Sequence, residues 1–240
     1  MILHIETSNE LCSVALSNET DCLAVRENIE GRNHAALLTL FIEELLNANN
    51  ISVKDLDAVA VSSGPGSYTG LRIGVSTAKG LCYGANLPLI AVPTLLSMSI
   101  GFLQQYDVPL SQPLSSREGG ALLCPMIDAR RMEVYTAIYD KEVRQIEKTS
   151  AEIITEQSFS SWLEKRQIFF FGNGATKCRS IISHPNAFFT ENFTHSARYM
   201  IKPAYQAYIE KQFVDVAYFE PFYLKDFIAG PKKEGLMVNV

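Results

Sequence analysis

This chain of 240 residues has no excess of positive charge, no paired histidines, no Cys-x-x-Cys and no long apolar run, and each absence removes a class of function. Lys and Arg number 21 against 26 Asp and Glu, a formal net charge of −5. A protein that grips nucleic acid unaided carries a basic face, because neutralising phosphates supplies much of the affinity. Arg130-Arg131 and Lys232-Lys233 are too short to form one. The histidines, His4, His34, His184 and His195, contain no pair at metal-ligand spacing. Five cysteines, an odd number without a close pair, read as reduced thiols of a cytoplasmic protein. No apolar run reaches the roughly 18 residues of a membrane span. Glu6 and Asn9 interrupt the apolar opening, which argues against a signal peptide. A phosphate loop ending in Gly-Lys-Ser/Thr is missing, as is an intact Gly-x-Gly-x-x-Gly, and Lys79 stands far down its helix. Ser63 and Ser67 flank glycines but lack the Gly-x-Ser-x-Gly elbow of a serine hydrolase.

What is present is a well-patterned chain, 47% hydrophobic, able to bury the core of one large domain or two small ones. Residues 2–6 and 11–17 predict a hairpin, and 22–27 a third strand. A helix follows over 33–47 with Asn33 as N-cap, then a strand over 56–62. A second helix starts near Thr69 or Gly70 and ends near Gly84 as C-cap. A strand over 89–92 and a helix over 94–105 close this half. Residues 107–120, rich in Pro, Ser and Gly, read as a linker. The pattern then reopens with strands over 121–127, 133–139 and 143–148. A helix over 158–165, a strand over 168–171, a helix over 175–182 and a strand over 187–189 follow. Helical spacing returns over 197–213, with Pro203 setting its first turn apart. The expectation is two related domains, 1–106 and 121–240, the second shorter and less regular.

Residues 62–83, SSGPGSYTGLRIGVSTAKGLCY, place five glycines between an apolar strand and an apolar helix. Glycine lets backbone approach a ligand or another backbone closely. The string GPGSYTGLRIG resembles the signature of the TsaB (YeaZ) family. The opening ILHIETSNELCSVALS, the start of a helix at Arg32-Asn33-His34, LPLIAVPTLLSM at 87–98 and PMIDARRMEVYTAIYD at 125–140 are similar to that family too. So are Phe171-Gly172-Asn173-Gly174-Ala175 and Pro221-Phe222-Tyr223-Leu224-Lys225. The resemblance implies an α/β, actin/sugar-kinase/Hsp70-like fold of two related domains, each a mixed sheet with flanking helices. It also implies a non-catalytic subunit of the bacterial machinery that makes N6-threonylcarbamoyladenosine at tRNA position 37.

The catalytic paralogue (TsaD) carries a metal-binding histidine pair where this chain has Leu96 and Ile100, so no metal and no catalytic residue is expected here. The rival reading is an active metallopeptidase or small-molecule kinase of the same superfamily. Glu6, in the first hairpin turn, stands where the fold usually holds an Asp near ATP phosphates; a solvated or capping carboxylate is the plainer reading. Asp128 and Arg130-Arg131 read as loop electrostatics, and Gly172 to Gly174 as a tight strand-to-helix turn. Gly64, Gly66 and Ser67 are the candidate nucleotide-proximal residues, with ATP or ADP bound only at a subunit junction.

The first helix is apolar over more of its circumference than one buried face needs. The resemblance implies that it and the second helix pack on the paralogue through His34, Leu37, Leu38, Phe41, Leu45, Gly70, Arg72, Gly74, Thr77 and Ala78. Which stripe of the first helix, Leu38-Phe41-Leu45 or Leu37-Leu40, meets the partner stays open at this level. Further implied partners are the small ATPase (TsaE), a second copy of the chain when isolated, and tRNA only through the complex.

Overall fold

The computed structural model describes residues 1–28, 33–106 and 120–225. Arg32, Lys232-Lys233 and all but the last residue of the expected linker lie outside the described residues.

Two five-stranded sheets form the frame. In the first, β1 (Ile2–Glu6), β2 (Cys12–Asn18), β3 (Asp21–Asn28), β4 (Ala58–Ser62) and β5 (Leu89–Val92) take the order β3-β2-β1-β4-β5. In the second, β6 (Leu122–Asp128), β7 (Glu133–Tyr139), β8 (Gln145–Ile153), β9 (Ile168–Phe171) and β10 (Ala187–Phe189) take the order β8-β7-β6-β9-β10. Both sheets make a three-stranded antiparallel meander and then add two parallel strands beside the first. The repeated order is the duplicated architecture of the actin/sugar-kinase/Hsp70-like fold.

Each sheet is covered on both faces. Helices α1 (His34–Ala48) and α2 (Tyr68–Ala85) bury Leu38, Ile42, Leu45, Val75, Ala78 and Cys82 against Leu3, Ile5, Val14, Val59 and Val61. The opposite face of that sheet carries α6 (Ile201–Ile209) and the 3-10 turn Ala197–Met200, packed on Ile2, Ala15, Ala58, Ala60 and Ile90. The expected second unit, 121–240, is therefore corrected: its 197–209 stretch covers the first sheet. In exchange α3 (Thr94–Gln105) buries Leu95, Met98 and Phe102 against the second sheet, with Phe102 stacked on Phe171 at 4.1 Å. The remaining face holds α4 (Ser160–Leu163) and α5 (Ala175–Cys178), both shorter than their apolar spacing predicts. Aromatic rings fill the space instead, Phe170 lying 5.3 Å from Phe159 and 4.9 Å from Phe189.

Local chemistry sets the ends. The Asn33 carbonyl accepts from Ala36 and Leu37, yet its side chain makes no capping bond. Ser67 caps α2, its Oγ accepting from the Gly70 N–H at 3.3 Å. That helix passes Gly84 and ends at Asn86, whose left-handed φ of 53° a short polar side chain tolerates. Pro203 sits in the first turn of α6, where a missing N–H costs nothing. Strand β8 begins two residues later and ends five later than expected, because Val143 is taken up by the preceding turn. No helix among the described residues is long and apolar enough to cross a membrane. Cys12, Cys82 and Cys178 are buried, and burial pushes their thiols up to about 11.

His4 lies within β1, fully enclosed, with Nε2 2.8 Å from Ser17 Oγ on β2. Burial lowers it to about 3. Its folded pKa is below the unfolded one, so protons favour the unfolded chain below pH about 6.5. Stability should fall as pH drops through that value, by up to about 1.4 kcal/mol per pH unit from this one group. Urea titrations between neutral and mildly acidic pH should show this slope in the parent and a shallower one in His4→Gln; equal slopes would remove His4 as the cause.

Candidate partner interface and the glycine segment

The glycines between β4 and α2 admit backbone, and the backbone is the chain's own. A Cβ at Gly64 would meet the Phe222 carbonyl oxygen at 2.7 Å, and one at Gly66 the Ser8 carbonyl oxygen at 2.5 Å. Gly70 and Gly74 would run into the Thr7 carbonyl and hydroxyl oxygens. Hydrogen bonds fix the approach. Ser67 N–H donates to Ser8 O at 2.6 Å, and Thr7 Oγ1 donates to Gly70 O at 2.8 Å. Gly64 N–H donates to Thr94 Oγ1 at 3.1 Å, and Phe222 N–H to Ser63 O at 2.7 Å. The candidate nucleotide-proximal residues thus spend their polar groups internally. Gly66 seats the first hairpin and Ser67 caps a helix.

The other kinase-like positions are occupied in the same way. Glu6 is buried at the end of β1, where Oε1 accepts from Ser8 N–H at 2.6 Å and Oε2 lies 3.4 Å from His195 Nδ1. His195 Nε2 stands 2.8 Å from Ser97 Oγ, and burial, opposed by the Glu6 charge, lowers its pKa. Of the two plainer readings of Glu6, the solvated one is corrected, since it is fully enclosed, and the capping one holds, since it accepts from Ser8 N–H in the turn. In the second half Lys177 pairs with Asp128 and donates to the Arg131 and Glu133 carbonyls at 2.8 and 2.7 Å. Asn173 Oδ1 accepts from Asp128 N–H at 3.0 Å. A tethered ammonium therefore ties this turn together. Glu6 Oε2 accepts no hydrogen bond among the described residues. Leu96 and Ile100, half-buried on α3, offer no donor atom, and no cluster of three His, Cys, Asp or Glu suited to a metal occurs among the described residues.

A C-terminal strap, residues 214–225, crosses this region. Val214 bridges to Leu89 at the sheet edge. Lys79 donates to the carbonyls of Ala217 and Phe219 at 2.9 and 3.1 Å, so the lysine that failed as a phosphate ligand is a clamp. Tyr223 lies 4.8 Å from Tyr68, and Lys225 pairs with Glu133 beside the second sheet.

The expected partner residues divide sharply. His34, Leu38, Leu45, Gly70, Gly74 and Ala78 are buried, so their assignment to an outer surface is corrected. His34 Nε2 donates to Leu11 O at 3.3 Å, Leu38 and Leu45 enter the core, and the two glycines and Ala78 seat α2 on the sheet. Leu37, Phe41 and Thr77 are half-buried and Arg72 is exposed. Beside them stand Leu40, of the stripe left open, and two residues absent from the expected set. Leu40 is 44% and Tyr83 87% exposed, and Gly80 has open space where a Cβ would go. Tyr83 was legible as a large aromatic on the polar side of α2.

A family model described as TsaD: tRNA N6-adenosine threonylcarbamoyltransferase matches residues 25–229. The tRNA threonylcarbamoyladenosine biosynthesis protein TsaB of Escherichia coli (strain K12) is 32% identical over 244 residues, covering 98% of both chains. The chain belongs to the TsaB family. The TsaB protein of Bacillus subtilis (strain 168) is 29% identical over 234 residues, covering 93% of each chain. A Pseudomonas aeruginosa crystal structure, described as similar to peptidase YEAZ, superposes with a TM-score of 0.77 at 25% identity. It covers 93% of this chain and 99% of its own. The glycine string thus has a physical reason in this chain, since Gly64, Gly66 and Gly70 meet hairpin or strap backbone and Gly74 meets the Thr7 side chain.

Gly74→Val should therefore lower unfolding stability by ~1–3 kcal/mol through overpacking against Thr7, with or without any partner present. Urea denaturation of the isolated chain checks this, and an unchanged midpoint would refute the close approach.

Proposed function

We propose that this chain is a non-catalytic scaffold in the synthesis of N6-threonylcarbamoyladenosine on tRNA, docking on the catalytic threonylcarbamoyltransferase paralogue TsaD. Membership of the TsaB family and the match to a TsaD model support the pathway and the partner. The observation that carries the docking role is the outer face of α1 and α2. Leu37 and Phe41 on α1 and Ile73 and Thr77 on α2 are half-buried, Leu40 is exposed, and Gly80 has open space where a Cβ would go. Apolar area beyond the buried stripe calls for a cover, and a small-residue helix lets another helix come close. The enclosed Glu6, the Lys177-tied turn and the donor-free Leu96 and Ile100 support a role without chemistry of its own. In this reading TsaE supplies ATP-dependent cycling, tRNA is met only through the complex, and threonylcarbamoyl-adenylate comes from a separate synthase. Isolated copies pair through the same face, because an uncovered apolar surface takes an available copy of itself.

Two substitutions on one helix separate docking from folding. Leu40→Glu or Phe41→Glu should leave a folded chain but place an unpaired carboxylate in an apolar contact, at a cost of several kcal/mol. Co-purification with TsaD should weaken about a hundredfold or more, and reconstituted tRNA modification should fall with it. Leu38→Glu should instead unfold the first half. Retained binding by every folded variant would move the interface elsewhere; lost binding with full modification would end the scaffold reading.

The same reading predicts that the isolated chain holds no stoichiometric transition metal and hydrolyses neither ATP nor peptides above background. Elemental analysis and a turnover assay check it. One tightly held zinc or iron per chain would overturn it.

A further inference from the structure

A cavity of about 520 Å³ opens between the start of α3, the β7–β8 hairpin and the C-terminal strap. Leu96, Tyr139 and Phe222 make its apolar wall, and Gln145, Lys148 and Thr149 its polar wall. The volume lies within the ~300–1,000 Å³ of small-molecule sites, which favour junctions between structural units.

Charge around this cavity is satisfied everywhere but at one residue. On the same hairpin Asp140 pairs with Arg144 at 2.7 Å, and Glu142 pairs with Arg144 and Lys141 at 3.2 and 3.6 Å. Glu147 accepts from the Trp162 indole at 2.8 Å. Lys148 has no hydrogen bond or ion pair among the described residues. Val143 also lines the cavity, in a turn held by Asp140, whose carbonyl accepts from Val143 N–H and whose Oδ1 accepts from the Glu142 and Arg144 N–H groups.

We propose that this cavity binds a small organic monocarboxylate, the carboxylate on Lys148 and the apolar body against Leu96, Tyr139 and Phe222. One ammonium balances one carboxylate. A polyphosphate would bring charge that no second free cation of the lining meets, and a lysine is a point charge rather than a planar fork. The site is separate from the outer face of α1 and α2, so it stands or falls apart from the docking role.

The test uses the full chain with phenylbutyrate as probe and phenylbutyramide as its uncharged twin, followed by calorimetry and ligand-observed NMR near neutral pH. Saturable binding of the acid is expected, with the amide at least about tenfold weaker. Lys148→Gln, an exposed change on an edge strand, should lose about tenfold or more in affinity for the acid while keeping its circular dichroism and melting curve. Leu96→Trp, where it folds, should block the cavity and abolish binding. Absence of saturable binding below about 10 mM overturns the proposal, as does equal affinity of Lys148→Gln or of the amide. Binding of a peptide's C-terminal carboxylate in place of the free acid would overturn it in favour of a peptide-docking site.

Discussion

The contact between α2 and the first hairpin is the constraint from which the rest of the site follows. Thr7 and Ser8 enter the space that Gly66, Gly70 and Gly74 leave open, and two hydrogen bonds, Ser67 to Ser8 and Thr7 to Gly70, pin the helix there. Any side chain on those glycines would push α2 off the sheet. With α2 seated, Ser67 is placed to cap it and Ser63 is left facing the strap. The Phe222 N–H then closes on Ser63 O, and Lys79 on the same helix clamps the strap from the other side. One close approach thus orders three distant pieces of chain.

The same contact accounts for the enclosed polar groups. In open α/β sheets the crevice beyond the carboxyl ends of the strands is where ligands usually enter. Here β1 ends at Glu6, where His195 lies against it, and Ala197 and Met200 continue over the adjoining face of the sheet. Ser196 pairs with Glu27, and Ala197 N–H donates to Ser13 Oγ at 3.0 Å. Glu6 Oε1 gains a backbone donor, while Glu6 Oε2, Ser62 Oγ and Ser8 Oγ remain without hydrogen-bond partners among the described residues. Leaving buried hydroxyls unpaired costs free energy that a structure tolerates only when other contacts hold it. The chain fills the crevice with its own segment, and the sheet end becomes a joint.

Much of the frame was legible in the sequence. Alternating and apolar runs located the strands of both sheets. The glycine string announced a close approach but not its object, since glycine permits a ligand and a backbone equally. Leu37 and Leu38 are adjacent, roughly 100° apart on the helix, and both are apolar. Only the position of the sheet decides that Leu38 is core and Leu37 rim. The Lys177 clamp and the α3–α6 exchange were hidden because they join residues tens of positions apart. No local period records such a pairing. Helices α4 and α5 failed for another reason: large rings at Phe159, Phe170 and Phe189 already fill the layer that longer helices would occupy.

The difference between the halves bears on which surface can receive a partner. The two sheets share one strand order, so duplication alone would give each an equivalent outer layer. Their covers are unequal. In the first half α1 and α2 run 15 and 18 residues, about 22 and 27 Å at 1.5 Å per residue. Helices of that length carry a buried stripe and still present an outer one. In the second half α4 and α5 have four residues each, a single turn whose apolar side chains are consumed by their own sheet. A helix-to-helix contact requires several turns on both sides for ridges to enter grooves. Among the described residues the long pair exists only beside the first sheet, with α2 anchored there by Thr7 and Ser8, and the hairpin contact that orders the strap also holds α2 on the core.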